Sequence, residues 1–168
     1  MSNSTELTPD ILARRAFYVF DEDLFNLSLL QDSLCVQDAS IRIGRNDDLV
    51  LDVTAALHKL KMVNELVLVS YGRPGELALG MYGFTGEMLG AYAELVARWK
   101  RYLSEDAKIV LVGGAVGAGR DGGDFVERLS VLTDRQVIAP IFTVGDGSWN
   151  FGGQWSAPEG WQAYNGEL

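Results

Sequence analysis

With 168 residues, 48% of them apolar and 22% charged, the chain has the size and balance of one globular domain around one core, which excludes a disordered or fibrous protein. Acids outnumber Lys and Arg by 23 to 14, a formal charge of −9, so the chain lacks the cation excess that phosphate backbones require and nucleic acid is not an expected partner. No apolar run approaches the roughly 20 residues of a membrane span, and a lone Cys35 with a lone His58 excludes a disulfide framework and a zinc site, so neither metal nor cofactor is expected.

Residues 1–12 are polar and are read as a flexible lead into a single domain over 13–168. Met1 to Glu6 lacks the basic start and apolar stretch of a secretory signal, which makes the cytoplasm the default location. Ala16 to Phe20 is a β-rich apolar run, predicted as a buried strand ending at Asp21-Glu22-Asp23. Those acids suit the positive end of a following helix, on which Leu24, Leu27, Leu30 and Leu34 recur at helical spacing. Cys35, beyond that helix, is read as a small buried apolar residue. A second strand is predicted over Ser40 to Gly44, then a helix capped by Asn46, Asp47 or Asp48, with Val50, Val53, Leu57 and Leu60 on one side and His58 beside that stripe.

Leu66-Val67-Leu68-Val69 is the strongest strand signal, a continuous run suited to a parallel strand buried on both faces. It stops at the turn-forming Ser70 to Gly75, and Glu76 to Gly80 reads as a short extra strand. Thr85 to Leu103 is predicted as one long helix, capped by Thr85, with Leu89, Tyr92, Ala93, Val96 and Trp99 facing inward. Arg98, Lys100 and Arg101 then sit where a helix C-terminus favours cations. Lys108 to Val112 is another buried strand, followed by a glycine-rich loop over Gly113 to Gly123, a helix marked by Phe125, Leu129 and Leu132, and a strand at Val137 to Ala139. Gly145 to Trp155 reads as a hairpin packed on the domain edge, with Trp161 beyond it the aromatic most apt to be exposed.

Strands alternating with helices predict an α/β domain of three layers, α/β/α, with a mainly parallel central sheet. Ligands of such sheets sit outside the C-terminal ends of the strands, where the loops starting at Asp21, Ser70 and Gly113 lie. The candidate binding edge is therefore Asp21, Ser70, Tyr71, Gly72, Arg73, Gly113, Gly114 and Ala115. Gly113 to Gly119 also raises phosphate binding through backbone N–H groups. A P-loop, however, needs Lys and Ser or Thr where this chain has Arg120-Asp121.

The stretch Val69-Ser70-Tyr71-Gly72-Arg73-Pro74-Gly75, ending in Leu79-Gly80, resembles a bacterial pattern of Ser-His-Gly, a polar residue, Pro-Gly and a short strand ending Leu-Gly. Tyr92-Ala93 with Trp99 and Ala107 to Leu111 match that pattern's long helix and next strand. Gly113 to Gly119 matches its loop Tyr-Gly-Cys-Asn-Val-Ala-Ala-Gly, and Gly152-Gly153-Gln154-Trp155 its Gly-Gly-Asp-Trp end. The chain is similar to the domain-of-unknown-function 4347 family, found within large bacterial surface and repeat proteins, with a fold related to caspase-like cysteine peptidases. The resemblance allows a cell-surface association and implies a His at Tyr71 and a Cys at Gly114. Glycine supplies no nucleophile, and a tyrosine with a pKa near 10 is a poor base at neutral pH. The sequence therefore predicts a pseudoenzyme without catalytic residues that binds a protein or peptide, or, alternatively, a nucleotide- or phosphate-ligand site on Gly113 to Gly119.

Overall fold

The computed structural model describes residues 15–141 together with Trp155, Ala157, Pro158 and Trp161. The predicted lead segment and all of the predicted hairpin except Trp155 lie outside the described residues. Five strands form the main sheet: β1 (Ala16–Asp21), β2 (Ala39–Ile43), β3 (Val63–Val69), β7 (Leu103–Val112) and β8 (Gln136–Ile138). They are ordered β2-β1-β3-β7-β8, and every neighbouring pair is parallel. A second, antiparallel sheet joins β4 (Gly72–Arg73), β5 (Glu76–Leu77) and β6 (Phe84–Thr85). The predicted strand at Glu76 to Gly80 is thus only two residues long and belongs to this small sheet.

Continuous apolar runs become strands buried on both sides because successive side chains alternate between faces. Phe17, Val19, Leu66, Leu68, Ile109 and Leu111 face one core, and Tyr18, Phe20, Val67, Val69, Val110 and Val112 face the other. The first face is covered by α2 (Leu49–Leu60), α3 (Gly86–Ala91), α4 (Ala93–Arg98) and α5 (Gly119–Thr133). The second is covered by α1 (Leu27–Asp32), together with Trp155, Ala157 and Trp161. The predicted three-layer α/β/α architecture is the one observed, with unequal outer layers.

Local chemistry sets the element ends. Asp48 caps α2, its Oδ1 accepting from Leu51 N–H at 3.1 Å, and Thr85 caps α3 by accepting from Met88 N–H at 3.2 Å. The predicted long helix is not continuous: Tyr92 (φ −110°, ψ 25°) separates α3 from α4, and a 3-10 turn over Trp99–Tyr102 leads directly into β7. Asp21 ends β1 and Glu22 and Asp23 form the turn after it rather than a helix start, since α1 begins only at Leu27. α5 begins at Gly119, so Gly122 and Gly123 belong to its first turns and not to the preceding loop.

Two burial expectations are reversed. Cys35 is exposed, on the loop between α1 and β2 at the N-terminal edge of the sheet. Trp161 is only 1% exposed. Its indole lies about 6 Å from the rings of Tyr18, Phe20 and Trp155, and its N–H donates to Ser33 Oγ at 2.7 Å. Sequence position placed it past the domain edge, but the short α1 leaves apolar surface on the second face that this ring fills.

The topology fixes where a ligand can enter. The chain leaves β1 over the second face toward β2, and leaves β3 over the first face toward β7. The two connections part at the β1–β3 boundary, opening a crevice at the C-terminal ends of these strands.

Candidate functional site

At that boundary Asp21 closes β1 and is 8% exposed. Its Oδ2 lies 2.9 Å from Ser70 Oγ, and its Oδ1 accepts from Asp23 N–H at 2.9 Å. The Ser70 hydroxyl is also 2.7 Å from the Ala78 carbonyl oxygen, so one side chain lies against both the end of β1 and the residue that follows β5. Tyr71 is half-buried; its ring packs on the second-face core, and its hydroxyl accepts from Phe25 N–H at 3.2 Å. Arg73 does not reach Asp21 but pairs with Glu76 at 2.6 Å.

Val69 and Val112 are paired across β3 and β7, so Tyr71 and Gly114, each two residues further on, stand at the same level on neighbouring strand ends. The backbones there touch. A Cβ on Gly72 would lie 2.6 Å from the Gly113 carbonyl oxygen, and one on Gly113 would lie 2.3 Å from that of Ser70. Gly114 has φ +43°, in the left-handed region that side chains disfavour.

The site opens as a cleft of about 530 Å³ whose floor and near wall are Asp21 and Tyr71. Gly44 and Arg45, just past β2, form one side, and Glu76, Ala78 and the loop carrying Tyr82 form the other. Arg45 bridges to Asp23 at 2.8 Å, a contact that raises the guanidinium pKa through the hydrogen bond to Asp23. Of the predicted edge, Asp21, Ser70 and Tyr71 come together. Gly72 and Gly113 serve close packing beneath them, while Gly114 and Ala115 continue the β7 loop. Gly44, Arg45, Ala78 and Tyr82 were missed. The loop after β2 lies on the same edge by the strand-end rule, and that rule alone could have found Arg45.

The glycine loop spends its amides internally. Val116 N–H donates to Gly113 O at 3.3 Å, Gly117 N–H to Pro140 O at 2.9 Å and Ala118 N–H to Ala115 O at 2.9 Å. A phosphate there finds fewer donors than the spacing suggests. Among the described residues no group of three or more His, Cys, Asp or Glu side chains could hold a metal ion, and no helix is long and apolar enough to cross a membrane. His58 is exposed and meets the Tyr102 hydroxyl at 3.0 Å, far from the cleft in the fold, on α2.

Fold and cleft together define a three-layer α/β/α domain with a recessed site at the switch point of a parallel sheet. The family model described as a domain of unknown function, DUF4347, matches residues 18–163, and the chain belongs to that family. No curated protein and no solved structure matches it.

Proposed function

We propose that the chain is a non-catalytic, caspase-like domain that binds a protein or peptide in the cleft between the ends of β1 and β3. The observation that carries this reading is the cleft itself, about 530 Å³ and walled by Tyr71 where the resemblance implies an imidazole. A recessed, partly aromatic pocket at a switch point is the ordinary form of a binding site. Chemistry of the thiol-protease kind needs a thiolate and a base within reach of each other. Gly114 offers no nucleophile, and the Tyr71 hydroxyl is engaged by the Phe25 amide. Cys35, on the opposite sheet edge, is badly placed to substitute.

The test is a displayed peptide library selected on the full chain. Selected peptides are expected to crosslink to residues of the cleft, to lose binding in Tyr71→Ala, and to be recovered uncut. Crosslinks confined to another face, or cleavage of the peptides, would overturn the proposal. Peptidyl inhibitors that trap thiols are expected to leave the cleft unmodified, with any label mapped by mass spectrometry to Cys35. For the alternative ligand class, a nucleotide screen is expected to leave Tm unchanged; a concentration-dependent rise would favour the glycine loop instead.

A further inference from the structure

We infer that the cleft recognises one cationic side chain, the arginine or lysine of a bound peptide; this rests on the binding reading above and narrows it. Three carboxylates line the cleft, and two of them already carry a partner. Asp23 holds Arg45 at 2.8 Å and Glu76 holds Arg73 at 2.6 Å, with the two arginine side chains 85% and 67% exposed. The innermost carboxylate is different. Asp21 is 8% exposed and its oxygens touch only neutral groups, the Ser70 hydroxyl and the Asp23 amide; Arg45, held by Asp23, feels its charge, but among the described residues no cation forms an ion pair with it.

An ionised carboxylate has about four acceptor positions, and at most two of these are used, since the single Ser70 proton is shared with the Ala78 carbonyl oxygen. The cation nearest to Asp21 is held by another carboxylate, so a cation in direct contact with Asp21 gains more here than at Asp23 or Glu76, which are already paired. The cleft walls fit the rest of such a side chain. Tyr71 stands beside the floor and Tyr82, 59% exposed, stands at the mouth, giving ring surface to an alkyl stem and a π-face to its charged head. An acidic ligand would meet Asp21 with like charge. A divalent ion would find fewer ligands than it needs among the described residues.

The experiment uses the full chain and a position-scanning pentapeptide library in which the fixed residue is Arg, Lys, citrulline, Leu or Glu, read by fluorescence polarisation. Arg and Lys pools are expected to bind on the order of thirtyfold more tightly than the citrulline pool, an advantage that shrinks with salt. Asp21→Asn, which preserves an acceptor for Ser70, is expected to abolish that advantage without weakening the citrulline pool. If Asp21→Asn fails to fold, Tyr82→Ala at the exposed mouth is the second variant, expected to weaken the Arg pool several-fold more than the Leu pool. Equal binding of the Arg and citrulline pools, or preference for Leu or Glu, overturns the cation inference while leaving peptide binding intact. Absence of binding by every pool overturns both.

Discussion

Ser70, Tyr71 and Gly72 each do something different within three consecutive positions. Ser70 points inward to bind Asp21 and Ala78, Tyr71 spans the cleft wall and the second-face core, and Gly72 lets the end of β3 touch the end of β7. Ser70→Ala removes the one hydroxyl proton that Asp21 and the Ala78 carbonyl oxygen share, and a loss of about 1–3 kcal/mol in urea denaturation is expected. Gly72→Ala is expected to cost more, because its Cβ meets a backbone oxygen that cannot rotate away. Asp21, Ser70 and Tyr71 were legible as an edge because a strand end is visible in sequence and the sheet rule places its loop. Arg45 follows from the same rule, two residues past the end of β2, but Tyr82 does not, since it enters through a loop whose course depends on tertiary packing.

At the level of elements, periodicity found the helical faces but not their interruptions. Leu89, Val96 and Trp99 are all buried, as their spacing implied, yet the chain breaks at Tyr92. The break lets the Tyr92 hydroxyl donate to Asp48 Oδ2 at 2.5 Å, which raises the Tyr92 pKa, and lets Trp99 N–H donate to Thr54 Oγ1 at 2.9 Å. Both partners lie more than 40 residues away, out of reach of any local pattern. The helical glycines separate two effects. Gly90 and Gly123 have open space where a Cβ would go, so each Gly→Ala change is expected to raise stability by roughly 0.5–1 kcal/mol. Gly122 has the Gly117 backbone 2.3 Å from that point, so Gly122→Ala is expected to destabilise. Thermal melts of the three variants check the contrast.

For the whole molecule, the unequal outer layers decide where stability is vulnerable. Four helices cover one face; on the other, the six-residue α1 shares the work with Trp161, which lies 128 positions from its hydrogen-bond partner Ser33. Trp161→Ala is expected to cost about 3–5 kcal/mol, read from denaturant midpoints. Tyr18, beneath that ring, has its pKa raised by burial first and then by Glu65, Asp38 and Cys35. A raised folded value means that the stability Tyr18 contributes is whole below its unfolded pKa of about 10 and is lost as pH climbs through the folded one. Ultraviolet titration is therefore expected to show this phenol ionising last, together with alkaline unfolding. Tyr18→Phe should remove that step.

The order in which a ribosome makes the chain gives the second face a particular history. Its strands β1, β3 and β7 and its α1 are synthesised well before Trp155 and Trp161, so a chain that ends ahead of these tryptophans leaves apolar surface on that face without its cover. Chaperones that hold exposed apolar surface would meet the protein at this stage, and a stalled chain cut ahead of Trp155 should bind a hydrophobic dye that the finished protein ignores.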